Sequence, residues 1–109
     1  ASYAVYAEVA RLAFLESLGV EVGALILARL EVDFRRQTRF GEPVDADTWV
    51  ERVGTTSVTL RQHVRASGAV AAEVRSVVVH FDYAAGRPAP WPDAARAALA
   101  GRAEPAAAA

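Results

Sequence analysis

Several residue types are missing from this chain of 109 residues, and each absence removes a class of site. There is no cysteine, which excludes disulfides, thiolate nucleophiles and cysteine metal sites. Lysine is also absent, so all 12 basic residues are arginines, and 13 acidic residues oppose them. The longest basic block, Arg35-Arg36, is too short for a polybasic surface. We therefore expect no nucleic-acid partner.

Metal sites and membrane spans are also disfavoured. His63 and His80 are the only histidines, and their separation fits no common metal-binding spacing. Charged residues such as Glu8, Glu16 and Arg29 interrupt the apolar runs well before the about 18 residues that a transmembrane helix needs. No segment has the charged start and apolar centre of a signal peptide. We expect a cytoplasmic protein with no bound metal and no membrane partner.

What the sequence does contain is typical of one globular domain. It is 53% hydrophobic and has a formal net charge of -1, so it is apolar enough to fold around a core. We predict a single domain over residues 1–101, followed by a disordered, Ala-rich tail at residues 102–109.

The first predicted element is a long apolar helix at residues 2–18. This stretch contains neither Gly nor Pro and is rich in Ala and Leu, which favour a helix. Its polar residues Glu8, Arg11 and Glu16 occupy one arc, so we predict that most of the helix surface is buried. Gly19 is well placed just beyond the last helical residue.

Strands follow this helix. Alternating apolar and polar residues predict strands at residues 26–34, 44–53, 58–66 and 70–82, and a short helix is predicted at residues 92–99. In the first strand, Ile26 and Leu30 are predicted on one face and Leu27 on the other. Short connections such as Ser67-Gly68 require antiparallel pairing. The pattern predicts an α+β fold with the helix against one face of an antiparallel sheet.

Four segments occur in the order and spacing of one enzyme family. They are the helix stretch that carries Tyr3, Tyr6, Glu8, Ala10 and Arg11, the strand end from Phe34 to Glu42, the turn from Gly54 to Val58 and the loop from Gly86 to Pro88. Over roughly residues 1–93 the chain resembles the hotdog-fold acyl-CoA thioesterases of the 4-hydroxybenzoyl-CoA thioesterase family. The resemblance implies a long central helix wrapped by a curved antiparallel sheet. It also implies hydrolysis of an acyl-CoA or acyl-carrier-protein thioester to a free acid and a thiol.

The resemblance further implies an oligomer, because members of this family form dimers in which two sheets become one, and often tetramers. The strand at residues 26–34 is our candidate for the dimer edge. Its outward residues Arg29, Glu31 and Asp33 are predicted to form ion pairs between subunits that fix the register of the two strands. No cofactor is implied.

The catalytic acid of the family is an Asp that follows a first strand, and both would precede Ala1. We expect the chain to be a fragment of a longer protein that contains them. Thioester hydrolysis needs a carboxylate as nucleophile or general base, and helix N-terminal amides can polarise the carbonyl. Within the sequence, Glu8 is a weak candidate for the carboxylate. The plainer interpretation is that Glu8 pairs with Arg11, one turn later.

Three groups of residues are predicted to bind the substrate. Tyr3, Tyr6 and Glu8 are expected at the acyl pocket. The CoA moiety is assigned to two sets, of which one is Arg35, Arg36 and Arg39 and the other is the turn of Thr55, Thr56 and Ser57. Aromatic packing, a solvated strand end and ordinary turn chemistry explain the same residues without a ligand.

Two other functions remain open. The first is a non-catalytic hotdog module that binds acyl thioesters or acts as an assembly unit. The second is an unrelated α+β domain that binds a different ligand. An upstream Asp would favour the enzyme, and failure to bind CoA would favour the unrelated domain.

Overall fold

The secondary structure follows the predicted order. A computed structural model of the chain describes residues 3–37 and 41–103. Each predicted boundary lies within one residue of the observed one, but a two-residue strand lies where the Pro-rich sequence predicts only loop. The elements are α1 (Tyr3–Ser17), β1 (Leu25–Phe34), β2 (Val44–Val53), β3 (Ser57–Ala66), β4 (Ala69–Asp82), β5 (Arg87–Pro88) and α2 (Asp93–Ala100), with a short 3-10 helix at Val22–Ala24.

Two predicted turn positions adopt the left-handed backbone that their sequence favours. Gly19 ends α1 with a φ of 77°, a conformation that only glycine adopts without strain. Between β3 and β4, Ser67 and Gly68 have φ values of 51° and 81°. Two successive positive φ values are typical of a tight hairpin turn, whose twist matches that of the paired strands. This turn sets β3 and β4 antiparallel.

The strands form one antiparallel sheet in the order β1-β4-β3-β2, and β5 adds to β4. β4 therefore lies between β1 and β3, while β1 and β2 form the two edges among the described residues. α1 lies on one face and packs mainly against β2 and β3. No helix within the described residues is long and apolar enough to span a bilayer.

The prediction that α1 is largely buried is wrong for the single chain. Its buried residues are Tyr3, Ala7, Arg11 and Leu15, which recur every four positions and so form one stripe along the helix. Val9, on another side, is 62% exposed. A sheet on one side of a helix covers only the stripe that faces it, whatever the composition of the rest. The prediction that Glu8, Arg11 and Glu16 share one polar arc is wrong as well, because Arg11 belongs to the buried stripe.

The predicted faces of β1 are also corrected. The pairing with β4 shifts register between Leu27 and Arg29, so Ala28 forms a β-bulge. A bulge adds one residue to a strand and inverts the side-chain alternation beyond it. Leu27 and Leu30, which strict alternation places on opposite faces, consequently line the same cleft beside α1. The alternation predicted for β3 is confirmed, with every second residue buried.

The core consists of two clusters between α1 and the sheet. One joins the C-terminal half of α1 to α2 and contains Leu15, Leu60, Trp91 and Leu99. The other surrounds Tyr3 near the start of α1. After α2 the chain returns to the sheet, where the Val50 N–H donates to the Arg102 carbonyl at 2.7 Å. The predicted tail lies mostly outside the described residues and stays a prediction.

Candidate functional site

A cleft of about 320 Å³ lies between α1 and β1. It exists because α1 packs mainly against β2 and β3 and leaves β1 less covered. Its size is at the low end of the range for small-molecule sites. The charged lining residues are Glu8 and Arg11, and the rest of the lining is apolar: Ala4, Val5, Leu12, Leu15, Val22, Leu25, Leu27, Leu30 and Val78.

Arg11 is the unusual member of this cleft. It is only 6% exposed, although arginine is almost never fully buried without a partner. Burial lowers the pKa of the Arg11 guanidinium, and the nearby Glu8 carboxylate acts in the opposite direction. Among residues 3–37 and 41–103, no carboxylate lies within salt-bridge distance of Arg11. The predicted Glu8–Arg11 ion pair is therefore absent as a direct contact, although the two charges share the cleft.

The three residues predicted for the acyl pocket have different environments. Glu8 is solvent-exposed at the cleft. Tyr3 is buried in the second core cluster and stacks on Phe34, with ring centroids 6.1 Å apart. Tyr6 is partly exposed and is not among the lining residues. The structure thus brings Glu8 to the cleft but neither tyrosine.

Two buried polar residues that the sequence analysis did not select lie on the sheet face under α1. The amide group of Gln62 donates to the Ala7 carbonyl at 2.9 Å and to the Thr48 hydroxyl at 3.1 Å. Among the described residues, its Oε1 atom has no partner, and neither has the Oγ atom of Ser76. A signal was available for Gln62, because it interrupts the inward apolar positions of β3 between Leu60 and Val64.

The arginines predicted for CoA are paired with carboxylates of the same chain. Arg35 binds Glu73 and lies 3.4 Å from Asp33. Arg36 binds Glu42 at 2.6 Å and donates to the Ala66 carbonyl at 2.7 Å. Arg39 lies outside the described residues. Any binding of CoA phosphates by Arg35 or Arg36 must therefore compete with these ion pairs.

The turn of Thr55, Thr56 and Ser57 lies at the opposite end of β3. Its carbonyls accept hydrogen bonds from within the chain. The Trp91 indole binds Ser57, and the His80 backbone N–H binds Thr56. Ten residues of β3 separate this turn from the Arg36 end, which is roughly 30 Å of extended chain. The two predicted CoA sets are therefore not one site within a single chain.

A second groove, of about 460 Å³, lies on the other face of the sheet. Charged side chains dominate its lining, and they bind one another. Arg61 and Arg75 both contact Glu51, at 3.0 Å and 2.7 Å. Arg35 binds Glu73, which also lies 3.3 Å from His63. Because these charges are already paired within the chain, the apolar cleft is the better candidate for a ligand.

Metal chemistry has no visible site in the described part of the chain. Nowhere in residues 3–37 and 41–103 do three side chains of His, Asp or Glu converge as metal ligands would. The cleft has one carboxylate and one guanidinium, which together can orient a polar group and accept a proton.

The helix laid across an antiparallel sheet, with a cleft at the helix edge, is the α+β hotdog fold of the thioesterases, which confirms the fold implied by the resemblance. The chain belongs to the thioesterase-like superfamily, whose family model matches residues 1–99. A search of curated proteins finds no match.

Solved structures give the same result. The chain is similar to a predicted thioesterase from Bacillus stearothermophilus, at 33% identity over 92% of this chain and 78% of that chain, with a TM-score of 0.82. A thioesterase from Thermus thermophilus, solved with coenzyme A and Zn, is 28% identical over 92% and 78% of the two chains, with a TM-score of 0.76. A Staphylococcus aureus protein in complex with CoA shares the fold, with a TM-score of 0.86 at 11% identity over 93% and 69%.

Proposed function

We propose that this protein hydrolyses an acyl-CoA thioester to a free acid and CoA, and that the cleft between α1 and β1 binds the acyl group. The observation that carries the proposal is an apolar cleft that contains one carboxylate and the mostly buried Arg11 side chain, in a chain of the thioesterase-like superfamily. The similar Thermus thermophilus thioesterase was solved with coenzyme A, which favours CoA over a carrier protein as the thiol.

The cleft provides groups that suit the chemistry. The Glu8 carboxylate can accept a proton from the attacking water, which is general base catalysis. The first turn of α1 borders the cleft through Ala4. The positive end of a helix dipole stabilises the negative charge that develops on the thioester oxygen.

The test measures release of the CoA thiol from acyl-CoAs of increasing chain length, with acyl-carrier-protein thioesters in parallel. If Glu8 is the base, Glu8→Gln lowers kcat by roughly 10²- to 10⁴-fold. Glu16→Gln, the same change at an exposed position of α1, leaves kcat unchanged. An unchanged kcat for Glu8→Gln assigns the base to another carboxylate. No thiol release from any acyl-CoA or carrier-protein thioester contradicts hydrolysis itself.

The second candidate function is acyl-thioester binding without hydrolysis. One observation favours it: the carboxylate that lines the cleft in the described residues, Glu8, is solvent-exposed rather than buried. Saturable binding of an acyl-CoA without thiol release by the complete natural protein would support this candidate.

The CoA-binding residues remain proposals. Removing a guanidinium that holds a CoA phosphate raises KM with little change in kcat, since the phosphates are remote from the reacting carbonyl. We expect this result for Arg36→Ala if that end of the sheet binds CoA, and for Thr56→Ala if the turn does. Because the two sites lie at opposite ends of β3, only one of the variants is expected to respond within a single chain.

We also propose that β1 joins a second copy of the chain. β1 is a sheet edge among the described residues, and it exposes Leu27, Leu30 and Phe34. An apolar edge of this kind favours pairing with another strand. The predicted intersubunit charges Arg29 and Glu31 already pair with each other at 2.6 Å. Light scattering should give a dimer or tetramer, and Leu30→Glu should lower its mass to that of smaller species.

A further inference from the structure

The polar groups between α1 and the sheet form a set that is incomplete within the chain. In the described residues, the buried polar or charged side chains are Arg11, Gln62 and Ser76. Within the part of the chain that the structure describes, the Oγ atom of Ser76, the Oε1 atom of Gln62 and the Tyr3 hydroxyl lack partners. No hydrogen bond from the Arg11 guanidinium to a protein acceptor is found in the described part of the chain. Buried polar groups normally have partners, so an incomplete set leaves bonds that a group from outside the chain can supply.

Arg11 lies at the cleft, whereas Ser76 is buried next to two of the lining residues. Arg11 is itself a lining residue. Ser76 is paired in register with Leu30 and lies two residues from Val78 on the same face of β4, and both neighbours line the cleft. Arg11 therefore borders the space that the apolar residues form, and the Ser76 hydroxyl lies behind that lining.

The charges of the cleft favour the binding of an anion deep inside it. Glu8 is solvent-exposed, so water screens its charge, whereas Arg11 is buried beside apolar side chains. A buried charge acts through a lower effective dielectric constant and is screened less. An anionic oxygen inside the cleft is consequently attracted to Arg11 more strongly than Glu8 repels it. Arginine is also the side chain best suited to hold a carboxylate, because its planar fork offers parallel donors.

We infer that the cleft selects thioesters whose acyl group ends in a carboxylate, and that the Arg11 guanidinium binds that carboxylate. The inference rests on the proposed function, because it assumes that the cleft holds the acyl group. It goes further by assigning a substrate class, the monothioesters of short dicarboxylic acids, and by assigning specificity to Arg11. The apolar lining contacts the methylene groups between the two ends.

The test compares adipoyl-CoA with hexanoyl-CoA, which have the same number of carbons and differ in the terminal carboxylate. We expect kcat/KM of the complete natural protein to be at least about 10-fold higher for adipoyl-CoA, as a charge-assisted hydrogen bond implies. Arg11→Gln should lower kcat/KM for adipoyl-CoA by roughly 10- to 100-fold and leave hexanoyl-CoA within a few-fold. Arg11→Lys should retain part of the preference. Arg52→Gln, a change at an exposed arginine of β2, is the matched control and should leave the preference for adipoyl-CoA intact.

The outcomes separate this inference from the proposed function. If the natural protein hydrolyses hexanoyl-CoA as well as adipoyl-CoA, the inference is overturned and the proposal of hydrolysis still stands. If neither is hydrolysed, calorimetry with the thioethers S-(5-carboxypentyl)-CoA and S-hexyl-CoA decides. Tighter binding of the carboxylate form, lost in Arg11→Gln, supports the inference while the hydrolysis proposal fails. Equal binding overturns the inference. If Arg11→Gln does not fold, the natural protein and Arg11→Lys still provide the comparison.

Discussion

The polar residues on the two faces of the sheet differ in burial and in hydrogen bonding. On the outer face, charged side chains are exposed and bind one another across the strands, as Glu51 does with Arg61 and Arg75. On the face toward α1, the polar residues are few, buried and incompletely bonded. The outer charges need no ligand, because each of them already contacts an opposite charge within the chain. The inner groups pay for burial without full compensation, so it is there that a ligand gains most by supplying the missing partner.

The largest expected difference between the faces is in packing. Leu60→Ala, at a fully buried position of β3, should lower the free energy of unfolding by about 2–5 kcal/mol, since it leaves a cavity. Thr59→Ala, at the next residue and on the outer face, should change it by less than about 1 kcal/mol. Urea denaturation of both variants measures the difference. Equal losses would contradict the assignment of the inner face as the core.

A smaller difference is expected for polar residues. Gln62→Leu removes the bonds to the Ala7 carbonyl and the Thr48 hydroxyl and should cost about 1–3 kcal/mol of unfolding free energy. Arg65→Leu breaks an ion pair with Asp47 on the outer face and should cost at most about 1 kcal/mol. Thermal unfolding compares the two. A larger cost for Arg65→Leu would mean that the outer ion pairs contribute more than exposed pairs usually do.

Arg11→Met should stabilise the protein, in contrast to the substitutions above. Burial lowers the pKa of the Arg11 guanidinium, which means that folding disfavours its charged form. Replacing a buried, poorly compensated cation with an apolar side chain of similar length should raise the free energy of unfolding by about 1 kcal/mol. The same variant should lose discrimination between adipoyl-CoA and hexanoyl-CoA. Destabilisation by Arg11→Met would show that Arg11 supports the fold rather than a ligand.

The smallest expected effect is on the loss of stability at acidic pH. Hydrogen bonds from Arg75 and Arg61 lower the pKa of Glu51 below its usual 4.5. A carboxylate whose pKa is lowered in the folded state stabilises it above the unfolded pKa, and this contribution is lost as pH falls through the folded pKa. As the pH falls below about 4.5, Glu51→Gln should therefore flatten the decline of stability slightly. Glu16→Gln on α1 should leave this decline unchanged. An identical decline of stability with pH in the natural protein and in both variants would contradict the role of these hydrogen bonds.

The candidate site was harder to predict than the fold. Glu8 is predicted at the acyl pocket and does line the cleft, but the periodicity of α1 groups Arg11 with Glu8 and Glu16 in one polar arc. Its burial depends on which stripe of α1 the sheet covers, and composition does not specify that stripe. Tyr3 was expected at the pocket and instead packs beside Phe34. Gln62 interrupts the inward apolar positions of β3, which is a signal that the prediction did not use, whereas Ser76 has no comparable pattern around it.

By itself, the sequence determined the order and bounds of the main elements and the antiparallel connection of β3 to β4. Side-chain periodicity and turn residues such as Gly68 act over a few residues, so they are visible in the chain. Only the tertiary structure decided which distant residues meet. The bulge at Ala28 brought Leu27 and Leu30 to one cleft, and the length of β3 separated the two predicted CoA sites. Both depend on how strands pair and how a helix crosses a sheet, which are properties of the folded chain.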